Sequence, residues 1–269
     1  MWIFRSSDEL RLKNKLISLG KPLSDYSSIH INSGIKTGYN KAFIIDENTK
    51  NNIIKSNYKN NQILKPVLRG KYINKWKIDF KNEYLICSKN GVNVKEEFPD
   101  IYNFLNQFKD KLIKRADQGN HYTNLRKCAY YDDFNKNKII WKEISEEPSF
   151  TLDINKYYIL NTAYMLTTDK YDIKYLLAIL NSKIAKWFFN INSVNLGNKG
   201  RRFTKQYVSK LPIIFPSQEL VNQIVSKIDT LYSISEDQLM IKKIENEIND
   251  ILYNVYNLND DEKQIINQD

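Results

Sequence analysis

The stretch NLGNKGRRFTKQYVSKLPIIFP, residues 195–216, decides how this chain is read. Within it Lys199, Arg201, Arg202, Lys205 and Lys210 stand in twelve residues with no acid among them. The wider window from Ile173 to Gln218 holds eight Lys or Arg and no Asp or Glu. Gly197 and Gly200 precede the arginine pair and allow a tight turn and a close approach to a partner. Phe203 and Tyr207 lie among the cations, where aromatic rings can take bases or sugars. On one side Tyr175, Leu176, Ile179, Leu180, Ile184, Trp187, Phe188 and Ile191 form the broad apolar face of a helix. On the other, Leu211–Phe215 reads as a short strand closed by Pro216. Helix, basic loop and strand in succession point to a mixed α+β fold. The loop is either a solvated connection or a contact for phosphates.

Charge over the whole chain bears on that choice. The net charge of +10 is unevenly spread: residues 219–269 hold 11 acids and 4 bases, so they carry −7 and the first 218 residues carry +17. A cationic body ending in an acidic segment favours a polyanionic partner. Lysine is abundant alongside Asn and Ile, but arginine occurs only seven times, which gives the Arg201–Arg202 pair weight. Apolar residues at 42% and aromatics at 13% fit a folded globule. Cys87 and Cys128 are the only cysteines, so no disulfide framework exists and a reducing cytoplasm is the expected compartment. With His30 and His121 they show no short metal-ligand spacing, so no structural metal is expected. Arg5, Asp8 and Glu9 interrupt any leader, no apolar run reaches the roughly 20 residues of a membrane span, and no membrane partner is expected.

In chain order, Trp2-Ile3-Phe4 and the cap-like Ser6-Ser7-Asp8-Glu9 lead into a short helix bearing Leu10, Leu12, Leu16 and Leu19, ended by Gly20-Lys21-Pro22. Two β-like runs, SIHINSG and KAFIID, flank the turn Gly34–Gly38. Residues 65–72 (KPVLRGKY) form a second cation-rich turn, and Tyr84–Cys87 reads as a buried strand. Residues 99–115 carry apolar side chains at helical spacing behind Pro99. Residues 126–144 read as strand, turn at Asp133–Asn137 and strand, and Phe150–Leu166 as a further hairpin. Two amphipathic helices are expected at the acidic end, one over Val221–Leu231 and one over Ile241–Leu258.

Motifs for catalysis are missing. No two prolines are adjacent, so the Asn-Pro-Pro-Tyr or Asp-Pro-Pro-Tyr motif of amino-methyltransferases is absent, and there is no G-x-G loop or Walker G-K-[ST]. The nuclease-like [DE]-x-K pattern occurs at Asp79–Lys81, Asp172–Lys174 and Asp261–Lys263, no more often than the roughly four that composition alone gives. Binding is therefore favoured over catalysis. A stand-alone metal-dependent nuclease with scattered carboxylates and an RNA-binding protein remain the alternatives. Plasmid nicking with divalent metal would favour the first, and RNA outcompeting duplex DNA the second.

Five blocks resemble one family. HINSGIKTGYNKAFIID (30–46), ILKPVLRGKYINKW (63–76), residues 125–145, residues 175–213 and residues 228–258 are similar, in order, to the TaqI-like C-terminal specificity domain. That domain is the DNA target-recognition region of adenine-specific DNA methyltransferases and type II-G restriction-modification enzymes. The resemblance implies double-stranded DNA and a methyltransferase domain or subunit as partners. S-adenosylmethionine is then expected only in that methyltransferase part, with no cofactor in this chain. It divides the chain into residues 1–25, which resemble the segment joining the two parts, a recognition domain over 26–218 and an acidic helical segment over 219–269. It also implies DNA contacts from Lys36, Thr37, Asn40, Lys41, Arg69, Lys71, Tyr72, Arg126 and Tyr131, beside Lys199, Arg201, Arg202 and Lys205 of the basic stretch.

Overall fold

A four-stranded antiparallel sheet through the middle of the molecule separates two hydrophobic cores. The computed structural model describes residues 6–234 and 237–268, so Trp2-Ile3-Phe4 and the outer ends of the two flanking segments lie outside the described residues. Numbered in chain order, the strands of the two main sheets are β1 (Ile29–Ser33), β2 (Ile44–Ile45), β3 (Leu64–Leu68), β4 (Tyr84–Ile86), β5 (Lys138–Lys142), β6 (Phe150–Asp153), β7 (Tyr158–Ile159) and β8 (Ala163–Thr168). The central sheet runs β6-β5-β8-β1, and a smaller sheet runs β7-β3-β4-β2.

Alternation along each central strand makes the division. Ile139 and Trp141 of β5 and Leu166 of β8 face a helical core, whereas Ile140, Ala163 and Met165 face the core shared with the smaller sheet. The helical core takes Leu12 and Leu16 from Ser7–Leu19, most of Ile173–Leu180 and Lys183–Asn192, and Ile224, Ile228, Ile244, Ile248 and Leu252 from the acidic end. Both flanking segments thus share a core with the body. The expected Leu10 and Leu19 stay exposed. A third acidic-end helix, Asp260–Asn267, begins with an Asn259–Glu262 capping box. The fold is α+β, as its sequence pattern indicates. Among the described residues no helix is long and apolar enough to cross a membrane.

Several local expectations change. The helix over 175–191 is two helices, because Ser182 caps the second by accepting from Ala185 N at 3.1 Å. The helix over 99–115 likewise breaks into Pro99–Asn106 and Lys109–Ile113. The hairpin over 150–166 does not form: β6 and β8 flank β5 on opposite sides, and β7 between them crosses to pair parallel with β3. Residues 126–130 form no strand, and Tyr131–Asn135 is a short 3-10 turn ahead of β5. Ile29–Ser33 and Ile44–Ile45 lie in different sheets.

Edge strand β6 is closed by side chains. Asn181 accepts from Phe150 N at 3.1 Å and donates to Phe150 O at 2.9 Å, acting as a further strand residue, while Leu152 N donates to the Tyr232 hydroxyl at 2.8 Å. Asn181→Ala should strand a buried N–H and weaken its carbonyl partner. The expected loss is about 2–3 kcal/mol, read as a lower urea midpoint with an unchanged slope.

Candidate nucleic-acid interface

A groove of about 690 Å³ opens where β5, β8 and two turns meet. Its walls are Asn40, Arg69, Gly70 and Lys71 from the turns, Lys142, Glu143 and Ile144 from the end of β5, and Leu160, Asn161 and Thr162 ahead of β8. The turn at Gly70 sits against the chain before β8: Gly70 N donates to Thr162 Oγ1 at 3.0 Å, and a Cβ on Gly70 would stand 2.3 Å from Thr162 O. Only glycine permits that approach. Beyond Ile144 of the groove wall, Arg201–Arg202 pairs antiparallel with Ile144–Ser145. Gly200, at φ +88°, starts this pairing, and a Cβ there would meet Ser145 O at 2.3 Å.

Four segments far apart in sequence therefore supply one charged cleft. Arg202, on the strand paired with Ile144–Ser145, donates to Glu143 Oε1 of the groove wall at 2.8 Å. Arg69 is held in a two-pronged contact, Nε to Glu83 Oε2 at 2.7 Å and Nη2 to Oε1 at 2.9 Å, and that bonding raises its pKa against the pull of burial. The lysines behave differently. Among the described residues, Lys36, Lys41, Lys71, Lys142, Lys199 and Lys205 form no ion pair, and Lys71 lies 4.9 Å from the centre of the Tyr72 ring. Oriented guanidinium groups thus stand beside unpaired ammonium groups.

The remaining sequence candidates sort by position. Thr37 is buried; its hydroxyl donates to Asn40 Oδ1 at 2.6 Å and accepts from Tyr39 N, so it shapes the turn that presents exposed Lys36, Asn40 and Lys41. Tyr72 packs against the second core. Arg126 pairs with Asp117 at 2.9 Å. The Tyr131 hydroxyl is buried without a hydrogen-bond partner among the described residues, burial raises its pKa, and Lys89 covers its ring at 4.7 Å. Arg201 donates to Ser193 O at 3.4 Å. Lys205 lies apart, lining a second cavity of about 490 Å³ with His30, Asp133 and Lys136. Phe203 is a correction: it is 2% exposed, sits edge-on to Phe150 and Phe189, and accepts from Trp141 Nε1 at 2.6 Å through its carbonyl. It anchors the basic loop to the helical core rather than offering a ring to bases.

Sequence reading missed Lys142 and Glu143, which looked like strand residues, and Arg115. Arg115 is 6% exposed and stacks on Phe43 with its guanidinium carbon 4.4 Å from the ring centre. It donates to the carbonyls of Thr37, Tyr122 and Asn124, and burial pulls its pKa down to about 10. The acidic end takes its ion pairs elsewhere on the body, Lys174 with Asp229, Lys15 with Glu262 and Lys75 with Glu245. No group of three His, Cys, Asp or Glu side chains is placed to hold a metal ion among the described residues.

A family model described as the TaqI-like C-terminal specificity domain matches residues 65–213. The chain belongs to this family. The match takes in nearly all of β3 through β8, the groove walls other than Asn40 and the basic loop, and the resemblance read from the sequence blocks is borne out. Among curated relatives, the type II methyltransferase M.MjaIV of Methanocaldococcus jannaschii is 24% identical over 88% of this chain and 81% of its own length. The type II methyltransferase M.PaeR7I of Pseudomonas aeruginosa is 22% identical over 79% of this chain but only 37% of its own length. The type IIL restriction-modification enzyme MmeI, solved in complex with DNA, shares the fold with a TM-score of 0.68 at 13% identity. That likeness covers 91% of this chain and 35% of MmeI, so the specificity-domain fold corresponds to about a third of the larger enzyme.

Proposed function

We propose that this chain recognises a specific duplex DNA site for a restriction-modification system and places an adenine-specific DNA methyltransferase, alone or joined to a nuclease, on that site. The observation that carries the reading is the groove, where Arg69, Lys71, Lys142 and Glu143 from the region that matches the family meet Asn40, with Arg202 paired to Glu143. Each group has work suited to its chemistry. Unpaired lysine ammonium groups neutralise phosphates and release counterions without first breaking an ion pair. The Arg69 guanidinium, held by Glu83, and the Asn40 carboxamide, held by Thr37, suit base edges, where geometry carries the information. S-adenosylmethionine would be held by the methyltransferase part, where the flipped adenine must also sit, and this chain would contribute binding energy toward that flip.

Competition decides between ligands. The chain should bind a mixed duplex pool with an affinity that structured RNA at equal nucleotide concentration does not abolish, and calorimetry should show no S-adenosylmethionine binding. RNA displacing the duplex, or metal-dependent nicking of plasmid by the pure chain, would replace this reading.

Glu143 gives a sharper check. A carboxylate in a cleft for phosphates is tolerable only while Arg202 neutralises it. Arg202→Ala should therefore weaken binding to every duplex by more than one lost phosphate contact. Glu143→Gln, which frees Arg202, should strengthen binding and steepen log K against log salt by up to about 0.9. Parallel titrations at three salt concentrations test both.

A further inference from the structure

We infer that the irregular segment from Ala116 to Lys127 is a base-reading loop beside the groove, with Arg115 as its positioning residue. This rests on duplex DNA being the ligand. Residues 114–130 contain no helix or strand, a length rarely left irregular in a compact domain unless it serves binding. Yet the segment is pinned from many sides. Ser88 Oγ donates to Thr123 O at 2.6 Å, Leu125 N to Ser88 O at 2.8 Å, Asn120 N to Asn90 Oδ1 at 2.6 Å and Asn124 Nδ2 to Val92 O at 2.9 Å.

Arg115 ties this loop to the turn that enters the groove. Its guanidinium joins the carbonyls of Tyr122 and Asn124 on the loop to that of Thr37 on the turn, with no acid beside it among its hydrogen-bond partners. At Gly38 an added Cβ would lie 3.2 Å from Arg115 Cδ and from Asp117 O, so loop and turn are in direct contact. A buried cation whose hydrogen bonds all go to carbonyls, and whose Nε has no partner among the described residues, is a costly way to join two loops, and what it secures is their relative placement.

The outer side chains of the loop suit base edges. Gln118, Asn120 and His121 are exposed. His121 Nδ1 is engaged by Thr123, through Oγ1 at 2.7 Å and N at 3.3 Å, which leaves the Nε2 edge of the ring for a ligand. A carboxamide pairs with adenine through N6 and N7, and a ring N–H can donate to guanine or thymine acceptors. Uncharged readers release no counterions, so they should affect base preference without affecting salt dependence.

The test is selection of the full chain on a randomised duplex pool, with binding measured at several salt concentrations and thermal melts as a control. The Asn120→Ala/His121→Ala double variant should lose preference at one or two base pairs, roughly 5- to 150-fold at each, with the salt slope and melt unchanged. Arg115→Lys cannot reach three carbonyls and should lose the same preference along with some thermal stability. The Lys71→Ala/Lys142→Ala variant should do the reverse, flattening the slope while keeping the preference. Full preference retained in the double variant overturns the loop assignment while leaving duplex binding standing. Absence of duplex binding by the wild type, or duplex binding without any sequence preference, would overturn the functional reading itself.

Discussion

Replacing Lys138 by Met should destabilise the protein by about 3–5 kcal/mol, the cost of leaving one member of a buried ion pair alone. Lys138 Nζ lies 2.6 Å from Asp153 Oδ2, and neither side chain is exposed to solvent at all. The two residues face each other across β5 and β6. Lys138 also donates to Phe134 O at 2.8 Å, and Asp153 accepts from the backbone N–H groups of Asn155 and Tyr157, both at 2.9 Å. The pair therefore fixes the start of β5 and the turn by which the chain crosses from the central sheet to β7. Burial lowers the Lys138 pKa and raises that of Asp153, so each charge persists because the other is present.

In Lys138→Met the carboxyl keeps two N–H donors and loses its cation. A carboxyl whose folded pKa is raised is favoured in the native state at low pH, and that advantage falls away as pH rises through the window above its unfolded value. The deficit of the variant should accordingly be smallest near pH 4 and grow toward neutrality. Adding Asp153→Leu should restore much of the loss. Urea unfolding at two pH values checks all three statements, and a midpoint unchanged by Lys138→Met would contradict them.

The second large effect is expected in DNA binding. Lys36, Lys41, Lys71 and Lys142 surround the groove or its entry turn and form no ion pair among the described residues. Changing all four to Ala removes up to four phosphate contacts, and the slope of log K against log salt should flatten by roughly 0.9 for each. Between 50 and 200 mM salt the parent should then lose about two orders of magnitude more affinity than the variant. Sequence preference should survive, because phosphate contacts carry no base information. Urea midpoints should stay near the parent value, since none of these side chains is buried. A parallel slope for parent and variant would move the phosphate-binding face elsewhere, to Lys199 and Lys205 first.

The class of fold was legible because periodicity is local. The helix at the start of the chain, the two acidic helices and the buried strands at Tyr84 and Lys138 all follow from spacing. Strand partners were not legible. Residues 150–166 have the composition of a hairpin, but β5 lies between β6 and β8, a choice made by the two cores and not by the intervening loop. Phe203 among cations suggested a stacking ring, and only the Trp141 bond and two neighbouring phenylalanines show it to be core. Arg115 left no signal at all, since its partners are carbonyls contributed by two separate loops. The candidate site was legible as a list of cations. Its division into acid-held arginines and unpaired lysines required Glu83 and Glu143, which no motif marks.

Hydrogen exchange of the chain, free and with duplex DNA, tests the central claim most directly, because it maps the bound face without a mutation. Protection is expected at residues 34–41, 69–72, 142–145 and 195–205. The helices Gln218–Ser233 and Gln238–Val255 should exchange as in the free chain. Protection concentrated on those acidic-end helices, with residues 69–72 and 142–145 unchanged, would contradict the groove as the DNA-binding face.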